Sequence, residues 1–140
     1  MTAKEYLEQA YWLDKRIDSR LEQVRSLRLM ATKTTALMRK DVVSHSRNTH
    51  SMEDTVAKMA DLETEINADL GRLVDLKREI GEVIQKVEDP QLEILLELRY
   101  FGYMSWPKVG AKMGLSEATV YRLHQVALGI LEKKVKFPEN

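Results

Sequence analysis

Apolar residues recur through residues 52–87 at the spacing of one face of an α-helix. They are Met52, Val56, Met59, Leu62, Ile66, Leu70, Leu73, Leu76, Ile80, Val83 or Ile84, and Val87. Ile66, Leu73, Ile80 and Val87 lie seven apart, which makes a coiled-coil-like seam. Ser51 suits the N-cap, and Glu53 and Asp54 suit the positive end of the helix dipole, so the pattern predicts a helix over 51–88. At 1.5 Å rise per residue such a helix is on the order of 55 Å long. A helix with that much apolar surface needs a partner. The nearest is residues 4–40, where Leu7, Ala10, Leu13, Ile17, Leu21, Val24, Leu27, Ala31 and Met38 form one drifting stripe. Thr32, Thr34 and Thr35 weaken its end, because β-branched side chains lose rotamer freedom in a helix. The polar run 41–51 breaks the period and is expected to be a loop.

Charge supports folding back at that loop. Residues 25–50 hold six Lys/Arg (Arg25, Arg28, Lys33, Arg39, Lys40, Arg47) and one acid, Asp41. Residues 51–70 hold six acids (Glu53, Asp54, Asp61, Glu63, Glu65, Asp69) and one base, Lys58. An antiparallel helical hairpin sets these segments side by side, and opposite charge then steers register more than it adds stability. The rival reading, that the basic residues of 25–50 form a nucleic-acid-binding patch of their own, is disfavoured by the acidic neighbour.

The expected fold class is all-α: a long antiparallel helical hairpin over 1–88, followed by a three-helix domain over 89–140. Aromatics make up only 6% of the chain, and no β-branched run is bounded by turn residues, so no strand is expected. There are no cysteines, which excludes a disulfide framework, a thiol nucleophile and a Cys-based zinc site. His45, His50 and His124 lack metal-ligand partners at useful spacing. Asp61 and Glu65 share a helical face, as acids do on any charged helix, and no glycine loop is built to cradle phosphate. An enzyme, a cofactor and a metal site are therefore not expected. No apolar run approaches the roughly 18–20 residues that span a bilayer, so no membrane partner is expected. Met1-Thr2-Ala3-Lys4-Glu5 leads into an amphipathic stretch rather than a signal peptide, consistent with a cytoplasmic address.

Asp89-Pro90 marks the boundary: Asp89 suits a cap and Pro90 a first helical turn, or the proline kinks a continuous helix. Beyond it, local signals divide the chain into three short helices. The first, 90–101, buries Leu92, Leu95, Leu96, Leu98 and Tyr100 and stops at Gly102. The second starts after Ser105, with Pro107 in its first turn, and ends at Gly114; the third starts after Ser116 and runs to about Leu131. Residues 105–131 thus have helix-turn-helix spacing. Gly110 is small where the helices cross, Gly114 tolerates the positive φ of a sharp turn, and Leu115 plugs the turn. Val109 and Met113 face Val120 and Leu123, and Trp106 reads as core packing.

The formal net charge is zero, but its distribution is uneven. Residues 99–136 carry seven Lys/Arg (Arg99, Lys108, Lys112, Arg122, Lys133, Lys134, Lys136) against Glu117 and Glu132. In a helix-turn-helix the start of the last helix enters the major groove, which here presents Glu117, Ala118, Tyr121, Arg122 and Gln125 to double-stranded DNA. Arg122 suits guanine, Gln125 adenine, Glu117 the cytosine amine and Ala118 a thymine methyl. Ser116, Thr119, Lys108 and Lys112 fall where phosphates pass, with Lys133, Lys134 and Lys136 as further backbone contacts.

The run Leu95-Leu96-Glu97-Leu98-Arg99-Tyr100-Phe101, with Ser105-Trp106, Gly114-Leu115-Ser116 and Ala118-Thr119-Val120-Tyr121, resembles region 4 of sigma-70-type factors. The whole chain, opening on Tyr6-Leu7-Glu8-Gln9-Ala10-Tyr11, resembles small phage and prophage proteins grouped with the RinA/ArpU-type late-transcription regulators. That resemblance implies a DNA-binding activator of phage late genes in a bacterial host cell. Its arm would mediate homo-dimer formation or contact RNA polymerase. Ala118 and Thr119 stand where sigma factors typically carry charged residues, and there is no sigma region 2, so the chain is not a complete sigma factor. The alternative is a DNA-binding packaging protein, similar to a terminase small subunit, whose coil drives ring assembly. A third is a pure interaction protein whose C-terminal helices bind polymerase or a host factor.

Overall fold

The stripe of apolar residues from Leu7 onward carries helix α1 through Ala3–Lys40, across the three threonines expected to weaken it. Thr32 and Thr35 donate their hydroxyls to the carbonyls of Arg28 and Ala31 (3.0 and 2.9 Å), so these polar groups are satisfied within the helix. The computed structural model describes residues 1–40 and 45–139, with side chains for 1–37 and 50–139. Five helices and no strand occur among the described residues, so the protein is all-α. None of these helices is long and apolar enough to cross a membrane.

Helix α2 spans His45–Gln85, six residues earlier at its start than the apolar period suggests. Residues 45–51 of the expected loop are therefore helical, and residues 41–44 lie outside the described residues. Ser51 is an interior helical residue whose carbonyl accepts the Thr55 hydroxyl at 2.9 Å, not a cap. Loss of an apolar stripe does not break backbone hydrogen bonding; it only removes the signal by which such a helix is read. His50 is exposed, with Nε2 3.6 Å from Asp54. At the other end α2 stops three residues early. The amides of Lys86, Val87 and Glu88 donate to Val83, Ile84 and Gln85, tightening the last turn, and Glu88 takes φ 54°.

Two compact units divide the chain: Lys15–Arg72, and Met1–Asp14 together with Leu73–Asn140. In the first, Ile17, Val24 and Ile66 are buried, as their spacing predicts. Thr35 donates to the Met52 sulfur, Arg28 lies 3.9 Å from Glu63, Arg20 lies 3.3 Å from Glu65, and Arg16 lies 3.0 Å from Asp69. One set of numbers rises as the other falls, so the two helices run antiparallel within this unit. The unexpected member is Asp69. It is wholly buried between seam residues Ile66 and Leu73, and it accepts from Arg16, Arg20 and Arg72.

In the second unit Asp89 caps a new helix, as the Asp-Pro pair predicts: its carboxylate accepts the Leu92 amide at 3.1 Å, and α3 runs Pro90–Tyr100. Helix α4 is Trp106–Met113 and α5 is Glu117–Lys134. Leu92, Leu95, Leu96 and Tyr100 of α3 are buried, with Leu98 half-buried. The first turns of α1 belong to the same core. Ala3, Leu7 and Ala10 are buried, the Ala3 amide donates to Glu132, and the Tyr6 and Phe137 rings lie 5.1 Å apart.

Removing the Asp69 carboxylate leaves three arginines that still reach water, so the cost falls below that of orphaning a fully buried charge. Asp69→Ala is expected to lower stability by about 1–3 kcal/mol in denaturant unfolding. An unchanged midpoint would mean that the three ion pairs contribute nothing to the packing of α1 on α2.

Candidate nucleic-acid interface

Helix α5 buries one row, Val120, His124, Ala127 and Leu131, spaced four, three and four apart. That row replaces the expected Val120–Leu123 pair: Leu123 is half-buried, one position off the inward stripe, and His124 takes the place facing α3. Tyr100 Oη and His124 Nε2 are 2.7 Å apart, while Nδ1 has no partner among the described residues. Burial first, then the Arg99 and Lys4 cations, lowers the imidazole pKa to about 4, so His124 is neutral at physiological pH. Burial likewise lifts the Tyr100 phenol far above its ordinary range, and a neutral pair results.

Trp106 closes this cluster. Its ring lies 4.5 Å from His124, 4.3 Å from the Arg99 guanidinium and 5.7 Å from Tyr121. Arg99 also donates to the Met104 carbonyl at 2.8 Å, clamping the turn between α3 and α4. Trp106 is thus half-buried packing, as expected.

The turn from α4 to α5 has the chemistry its glycines suggest. Gly114 takes φ 70°, ψ 33°, and its amide and that of Leu115 both donate to the Gly110 carbonyl. A Cβ on Gly110 would meet the Leu115 carbonyl oxygen at 2.8 Å, so the close approach requires glycine. Ser116 then caps α5. Its Oγ accepts the Thr119 amide at 3.2 Å and donates to Thr119 Oγ1 at 2.8 Å.

Opposite the buried row, Glu117, Ala118, Tyr121, Arg122 and Gln125 are all exposed and share one face of the first turns of α5. Tyr121 is 53% exposed even with its ring edge on Trp106, so one side remains accessible. Lys108 and Lys112, four apart on α4, are exposed, and neither they nor Arg122 makes an ion pair among the described residues. Thr119 is half-buried, and the Ser116 and Thr119 hydroxyls are engaged with each other, although Ser116 itself is exposed. Lys133 and Lys136 are exposed, but Lys134 turns toward the end of α2, donating to the Lys86 carbonyl at 2.9 Å and lying 3.6 Å from Glu88. The exposed residues at the start of α5 and Lys108 and Lys112 therefore stand on adjoining helices, whereas the terminal lysines lie toward the far end of α5 and beyond it. No cluster of three or more metal-ligating side chains occurs among the described residues.

Residues 31–132 match the model of a family described as proteins of unknown function, DUF1492. The chain belongs to that family. The matched span includes the whole of α3 and α4 and nearly all of α5, so the turn, the cap and the exposed face lie inside the DUF1492 region. No curated protein and no solved structure matches the chain.

A histidine held near 4 in the fold and near 6.5 when unfolded binds its proton first in the unfolded chain. The stability it contributes is therefore present above about pH 6.5 and is lost as the pH falls toward 4, by on the order of 3 kcal/mol. Denaturant unfolding at stepped pH should reveal that slope, and His124→Gln should flatten it. An NMR midpoint for His124 close to 6.5 would contradict its neutral burial.

Proposed function

We propose that this DUF1492 protein is a sequence-specific DNA-binding regulator of transcription, in which α5 reads the major groove. The observation that carries the reading is the exposed face of the first turns of α5, Glu117, Ala118, Tyr121, Arg122 and Gln125, set at a capped helix start behind a tight turn. A helix start with both hydrogen-bonding and small apolar side chains suits base edges, which present donors, acceptors and a methyl group. Arg122 serves guanine and Gln125 adenine, while Lys108 and Lys112 supply phosphate contacts from α4. The resemblance to RinA/ArpU-type regulators extends the proposal to activation of phage late genes in the cytoplasm of a bacterial host. The paired long helices then serve dimerisation or contact with RNA polymerase.

Selection of bound sequences from random double-stranded DNA tests this directly: a recurrent motif is expected, and recovery of unselected sequence would sink the proposal. With the motif in hand, Arg122→Ala should cost about 1–3 kcal/mol of discrimination at one base pair. Equal preference at every position before and after the substitution would remove Arg122 from the base contacts. Lys112→Ala should weaken binding to all sequences alike and reduce the salt slope by about one. An unchanged slope would remove Lys112 from the phosphate contacts.

A further inference from the structure

Two antiparallel helices form a single layer, and a single layer can bury only what lies between them. Within residues 15–72 that leaves two long grooves. One has Leu27 and Leu62 set among polar side chains that include Gln23, Lys58 and Asp61. The other, of about 470 Å³, has Val24 and Ile66 at its floor and Leu21 and Leu70 on its walls. The floor residues are nearly closed off, whereas Leu21 and Leu70 are 45% and 43% exposed. Val56, two heptads before Leu70 and therefore on the same stripe of α2, is 52% exposed and prolongs the apolar strip.

The charges beside this groove are sorted by helix. Arg25 and Arg28 line it from α1, and Glu63 lines it from α2. A groove with apolar walls, a basic side and an acidic side is complementary to itself when turned about an axis parallel to the helices. That rotation lays α1 of one copy over α2 of the other, antiparallel at every neighbour. Arg25 and Arg28 then stand level with the partner's Glu63, and Leu21 meets the partner's Leu70. The other two-fold arrangement, about an axis across the helices, lays α1 over α1 and sets arginine against arginine. Charge therefore selects one packing out of two.

The geometry points to a second copy of this chain as the occupant of the Leu21–Leu70 groove, the two copies closing into an antiparallel four-helix bundle. This deepens the dimer half of the functional proposal. It is independent of DNA, so its failure leaves the DNA-reading face untouched.

The test measures mass in solution for the full chain, without DNA, at micromolar concentration. The expected value is twice the 16.2 kDa chain mass. Leu70→Glu, at a position already open to water, should bring the mass down to one chain with helicity unchanged. A second arm does not depend on that variant. Arg28→Glu and Glu63→Arg should each be monomeric alone. Mixed in equal amounts, they should form dimers containing one of each, because both cross-copy pairs are then oppositely charged. Within each chain the mixture changes nothing, so recovery on mixing reports contact between copies only. A wild-type mass of one chain overturns the pairing and leaves the groove to a different protein. A ring of many copies, a Leu70→Glu dimer, or mixed variants that remain monomeric each overturn this face-to-face packing.

Discussion

The contact between Tyr100 and His124 lies where α3, α4 and α5 meet, and the placement of the candidate interface depends on it. Helix α5 can turn Glu117, Ala118, Tyr121, Arg122 and Gln125 outward only because Val120, His124, Ala127 and Leu131 are turned inward. Three of those four are ordinary apolar packing. His124 is different: its imidazole is accommodated because Tyr100 bonds one nitrogen and Trp106 covers the ring. A buried polar pair of this kind is directional, so it sets the rotation of α5 about its own axis as aliphatic contacts alone do not. Rotation is what decides which side chains a helix offers to a groove. Arg99, over the Trp106 face and bonded to Met104, holds the third wall of the same arrangement.

Most of the helical architecture was legible because helices announce themselves by period, cap and turn. The seam Ile66, Leu73, Ile80 and Val87 is buried throughout, and Asp89, Gly114 and Ser116 perform the local tasks their chemistry suits. The differences have separate physical causes. Residues 45–51 are helical without an amphipathic stripe, and backbone hydrogen bonds need no stripe. His124 stands four residues after Val120 and three before Ala127, so spacing alone places it on the buried row, but an imidazole gives no apolar signal there. Lys134 could not be read from sequence at all, since its partners Lys86 and Glu88 lie about fifty residues away along the chain. The exposure of the candidate base-reading face follows from the same 3.6-residue period that turns the buried row inward.

Asp69 shows how the long helices are held in one register. A coiled seam made only of aliphatic residues tolerates slippage by a heptad, because Ile over Val and Leu over Ile are nearly equivalent. A buried carboxylate ends that tolerance. Asp69 must meet Arg16 and Arg20 across the helix pair and Arg72 along its own helix, and sliding α1 by one heptad would carry both cross-helix arginines out of reach. The ion pairs contribute little net stability once desolvation is counted, but they make every other register worse. A fixed register matters most for a surface that uses charge to choose its partner. Arg25, Arg28 and Glu63 border the apolar groove at fixed heights only while Asp69 keeps α1 and α2 from sliding. The buried cluster and the exposed one thus act in sequence: the first sets where the second stands, and the second discriminates among the ways a further pair of helices can cover Leu21 and Leu70.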